Sequence, residues 1–167
     1  MEYVMIVLFI AIMVGLLALN FNKLKEYDER QLAIRGRGYS YAYFTVMILS
    51  ILYVSTKNII SVPISSELMS VIILLISVIV FITYTIFNDA YGSYKYNNYK
   101  KLFILYIIMF LLNLVYLRSS IVNHTLIKNG VLLFGEGMDL VLSIFFLILI
   151  LNLVIKLLVD RCKKDEE

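Results

Sequence analysis

A chain of 167 residues that is 62% hydrophobic and 16% charged is too apolar for a soluble domain. Such domains carry about 45–50% apolar residues, and at this size they have too little interior to hide the excess. The net charge of +3, without a dense basic groove, argues against nucleic acid as a partner. One cysteine, Cys162, excludes an intramolecular disulfide, and a single histidine argues against a His-rich metal site.

The charges fall in blocks between long apolar runs, the pattern of helices buried in hydrocarbon. The expected fold is all-α: one polytopic transmembrane domain over 1–167 with about five helices. A first span is expected over 3–19. It carries no charge, and Ala11, Gly15 and Ala18 form a small-residue face on which another helix can pack closely. Glu2 replaces a basic n-region and no small-x-small cleavage site follows, so this run is expected to be retained.

The polar stretch 20–38 follows. Asp28-Glu29-Arg30-Gln31 reads as a helix start, with Asp28 as cap and Gln31 reaching back. Asp28, Gln31 and Arg35 share one face of that helix, and Glu26 and Arg30 are spaced i, i+4. Gly36 and Gly38 either bend the chain or let this helix run on into the second span, expected over 39–56. Tyr39, Tyr41 and Tyr43 open that span at headgroup level.

A short connection with the only proline, Pro63, leads to a third span over 66–87. There Ser70, Ser77, Thr83 and Thr85 can bond to their own helix carbonyls. The loop 88–101 mixes tyrosines and lysines like an interfacial belt. A fourth span is expected over 102–117 and a long loop over 118–137. Within that loop Asn129-Gly130 marks a hairpin, whose apolar strands suggest that it lies on the membrane surface. The fifth span is expected over 138–159, with a polar tail after it.

Loops 20–38 and 88–101, with the chain from Lys156 onward, hold twelve of the fifteen Lys and Arg residues. Only Lys57, Arg118 and Lys128 lie on the other side. Five spans put the basic segments on one side, and the positive-inside rule makes it the cytoplasm, with the N-terminus outside.

No ionisable residue falls near the centre of a span, which argues against a charge-coupled pump. Asp139 and Lys156 sit toward opposite ends of the fifth span, from where they can reach the interface. Asn113 and Asn152 are the deepest strongly polar groups and are candidates for interhelical bonds. Zinc-protease and nucleophile-elbow motifs are missing. Gly135-Glu-Gly-Met-Asp139 is one residue too long for the Gly-x-Gly-Asp of membrane aspartyl proteases. Asn123-His124-Thr125 matches a glycosylation sequon, relevant only in a eukaryotic secretory pathway.

The segment Tyr27-Asp-Glu-Arg-Gln-Leu-Ala-Ile-Arg-Gly-Arg-Gly-Tyr-Ser-Tyr41 resembles a largely uncharacterised group of small multipass membrane proteins of low-GC Gram-positive bacteria. In these an Asp-Glu-Arg-Gln stretch and a basic-Gly element precede a transmembrane helix. The resemblance implies a bacterial plasma membrane and carries no catalytic residues. The expectation is a non-enzymatic accessory, regulatory or immunity-type interaction protein without cofactor or metal. Its partners would be the lipid bilayer and a membrane protein or further copies of itself. The candidate interaction residues are Asp28, Arg30, Gln31 and Arg35. The alternative is a small transporter or channel component acting as an oligomer.

Overall fold

The computed structural model describes residues 27–57, 59, 62–91, 99–123, 127–128 and 130–165. The expected first span, 3–19, lies outside them. In chain order the described elements are α1 (Glu29–Thr56), α2 (Ser66–Phe87), α3 (Tyr99–Val122), β1 (Ile127–Lys128), β2 (Val131–Leu132) and α4 (Phe134–Asp165). All four helices are long and apolar enough to cross a membrane.

α1 begins ten residues before the expected second span, because Gly36 and Gly38 do not end the helix. The polar helix runs unbroken into the apolar one. Asp28 stands at the N-cap position, but its side chain makes no cap bond. The expected reciprocal cap fails because Gln31 turns to another partner, described below. α2 has the expected bounds, and Ser65 caps it by accepting from the Leu68 N–H at 3.3 Å. The loop expected over 118–137 is shorter than that, since α3 continues to Val122 and α4 starts at Phe134.

α1 packs on α2, α2 on α4, and α4 on α3. α2 and α4 run parallel: Leu68 meets Gly137 near one end, and Thr83 meets Asn152 toward the other. They are the inner pair and hold most of the buried residues, including Ile82, Ile86, Leu149 and Leu153, against which Tyr106 of α3 packs. α1 and α3 flank them and leave wide apolar surfaces uncovered.

The seam of α1 against α2 is made of small residues. A Cβ on Gly38 would lie 3.1 Å from Phe81, 3.3 Å from Thr85 and 3.3 Å from Tyr84. Ala42 follows one turn on and is also partly covered. Small residues at i, i+4 let two backbones approach closely where no hydrophobic force drives helices together. Beside this contact Tyr39 stacks on Phe81 at 4.4 Å between ring centroids, and Tyr41 meets Tyr84 edge-on.

At the opposite end the hairpin forms, with Ile127 opposite Leu132 and Lys128 opposite Val131. Gly130 takes the left-handed backbone that such a tight turn demands. β2 also pairs with the connection before α2. The Leu132 N–H donates to the Pro63 carbonyl at 2.9 Å, and the Ser65 N–H to the Leu132 carbonyl at 3.0 Å. The hairpin is thus pinned to the α1–α2 connection, which its expected place on a membrane surface did not include.

Candidate functional site: a turn held by four helices

The polar groups of the described chain converge on the turn that ends α2. The Asp89 N–H donates to the Ile86 carbonyl at 3.2 Å, and the Ala90 N–H to the Thr85 carbonyl at 2.8 Å. These two bonds are the Schellman arrangement, which places one residue in the left-handed region, usually glycine. Here that residue is Asp89, with φ of 58°. Aspartate tolerates this conformation better than most residues, and its side chain is used.

The Lys156 ammonium of α4 lies 3.0 Å from the Asp89 carboxylate and 2.8 Å from that of Asp160. The lysine side chain is only 5% exposed, whereas the carboxylates are 55% and 38% exposed. The sequence suggests that Lys156 reaches the interface, as a lone lysine does. In the structure it is held between these two partly exposed carboxylates, one from the α2 turn and one from its own helix.

α1 holds the same turn from the other side. Gln31 donates to the Asp89 carbonyl at 3.0 Å. Arg35 donates through Nη1 to the carbonyls of Ala90 at 3.3 Å and Tyr91 at 3.1 Å, and through Nη2 to the Tyr39 hydroxyl at 3.5 Å. Its guanidinium also lies 4.4 Å above the Tyr27 ring. A cation suits this place, since the carbonyl end of a helix carries partial negative charge. α3 completes the junction: the Tyr91 and Tyr106 hydroxyls are 2.6 Å apart, and Tyr106 is buried. Three consecutive residues, Asp89 to Tyr91, are therefore bonded by α1, α3 and α4 and lie at the end of α2.

Of the candidate interaction residues, Gln31 and Arg35 face this junction. Asp28 and Arg30 are exposed. The candidate interhelical pair divides. Asn152 donates across to the Thr83 hydroxyl of α2 at 2.9 Å. Asn113 bonds to no neighbouring helix among the described residues. It donates to the Met109 carbonyl of its own helix at 2.7 Å. Ser70, Ser77 and Thr85 also bond to their own helix carbonyls.

Asp89, Lys156 and Tyr106 were not singled out as site residues from the sequence. A readable signal exists for the first: Asn88-Asp89 directly after a 22-residue apolar helix is a helix-stop pair. Between α2 and α4 lies a groove of about 240 Å³ lined by Ile72, Ile76, Val141, Ile144 and neighbouring apolar side chains. Among the described residues no group of His, Cys, Asp and Glu could hold a metal ion. No protein-family model, curated protein or solved structure matches the chain.

Proposed function

We propose that the chain is a multipass integral membrane protein of the bacterial plasma membrane, with the 89–91 junction on the cytoplasmic side. Its role is non-enzymatic: an accessory, regulatory or immunity-type interaction protein. The observation that carries this reading is how the polar groups are used. Gln31, Arg35, Asp89, Tyr91, Tyr106, Lys156 and Asp160 bond to one another and to the chain's own carbonyls at one end of the helices. They serve to fix helices in place. The apolar lining of the α2–α4 groove favours this reading over a conduit for charged solutes, which needs polar or charged groups along its path.

Orientation rests on the twelve-to-three bias of Lys and Arg toward the side of the junction. Single cysteines placed in a Cys162→Ser background test it. A cysteine at Ser119 should react with an impermeant maleimide added to sealed cells, and one at Lys95 should react only after lysis. Reaction at Lys95 in sealed cells overturns the topology. Native mass spectrometry in lipid tests the role. A hetero-complex supports an interaction protein, and a ring-like homo-oligomer points to the transporter or channel alternative.

A further inference from the structure

The outward face of α1 carries a second arrangement of cations, separate from the junction. Arg30 and Arg37 are exposed. Seven residues apart on a helix, they lie on one side and about 10 Å from each other along the axis. Between them lie Ala33 on one side and the half-buried Ile34 on the other, and Gly36 adjoins Ala33. Ala33 and Gly36 are both exposed, and a Cβ on Gly36 would meet nothing within 4 Å. Two long guanidinium arms thus border a small-residue patch on the Ala33 and Gly36 side of the helix.

The same face continues as Tyr41, Phe44, Ile48 and Ile51, exposed by 49%, 58%, 57% and 61%. Cations come first, then a phenol, then apolar side chains, over about 30 Å of helix. That order matches a phospholipid lying along the helix: phosphate, glycerol level, acyl chain. We propose that Arg30 and Arg37, over Ala33 and Gly36, bind the phosphate of an anionic phospholipid of the cytoplasmic leaflet. The inference rests on the membrane reading above.

The surrounding charges favour an anion here. Arg35 points into the junction, where its charge and that of Lys156 stand against Asp89 and Asp160. Asp28 and Glu29 are the acidic neighbours. Among the described residues these two adjoin Arg30 at the helix start and lie about 12 Å or more along the axis from Arg37. Guanidinium groups grip phosphate oxygens in a two-pronged geometry, and a basic side chain near an anionic surface contributes about a fivefold gain in binding.

The test uses the full chain in nanodiscs of phosphatidylcholine, with or without phosphatidylglycerol, followed by native mass spectrometry of retained lipid. The wild type should retain phosphatidylglycerol in preference to phosphatidylcholine. Arg30→Gln with Arg37→Gln should cut that preference about 25-fold. Ala33→Leu should reduce it without changing charge, by filling the patch. Inorganic phosphate should compete poorly, because it lacks the acyl chain for Phe44 and Ile48. An unchanged preference in the double variant overturns the proposal, as does efficient competition by inorganic phosphate. Failure of the chain to enter nanodiscs at all would instead overturn the membrane reading.

Discussion

Lys156 and its two carboxylates differ sharply in burial, so their removal should have unequal effects. Lys156 is 5% exposed at its side chain and has carboxylates at 3.0 and 2.8 Å. Replacing Asp89 and Asp160 together by Asn keeps the shapes, and Asn accepts the left-handed backbone of position 89. It leaves a buried ammonium without a counter-charge, a change that costs about 3–5 kcal/mol. Either single Asn variant retains one carboxylate and should lose much less. Lys156→Met removes the buried charge itself. The carboxylates left behind are 55% and 38% exposed and can be solvated, so the loss should stay within about 1 kcal/mol. The assay is unfolding in detergent micelles, followed by helical circular dichroism against added denaturant. A Lys156→Met protein less stable than the double Asn variant would refute this account of the junction.

Two further substitutions probe the helix seams. Gly38→Ala places a methyl 3.1–3.3 Å from Phe81, Tyr84 and Thr85, so crowding at the seam should offset the helix gain and leave it less stable than Gly36→Ala. Gly36→Ala, two residues away in open space, should stabilise the helix by about 0.5–1 kcal/mol. The same unfolding assay reads both, and equal effects would contradict the close α1–α2 approach. Asn152→Leu should cost about 0.6–1.7 kcal/mol, most of it absent when Thr83 is already Val, whereas Asn113→Leu should be nearly neutral. A double-mutant cycle checks the first pair, and a coupling of zero would remove the interhelical bond.

The long apolar runs made the helices readable, and α2 matched its expected residues, 66–87. Helix ends were harder to place where nothing polar stopped them. α3 runs five residues past Leu117, and α4 starts at Phe134, because Arg118, Ser119 and Ser120 at the one end and Gly135 and Gly137 at the other are tolerated in a terminal turn. The partners of polar side chains were legible only in part. Gln31 and Arg35 could be placed on one face by spacing, but their targets are backbone carbonyls some 55 residues away, which leave no mark in composition. Lys156 looked able to reach the interface because only its position along one helix was visible. One acid that holds it, Asp160, is one turn on in the same helix, and the other, Asp89, follows α2.

This difference has a physical root. An apolar side chain separates helix from water, but in hydrocarbon it does not separate a neighbouring helix from lipid, so it fixes neither partner nor register. The α2–α4 pair shows what does. Leu68 meets Gly137, where a Cβ would lie 2.5 Å from the leucine, and Thr83 meets Asn152. Both pairs are 69 residues apart in sequence, and Asp89 meets Lys156 at a separation of 67. Three contacts from one end of the pair to the other specify nearly one offset. A slide of one turn would cost the hydroxyl–amide bond and the ion pair together, and would drive a side chain into the place that Gly137 leaves open. α1 is fixed in the same manner by Gly38 at the seam and by Gln31 and Arg35 on the turn. The few small and polar residues therefore determine which helices are neighbours, and the many apolar ones determine only that there are helices to arrange.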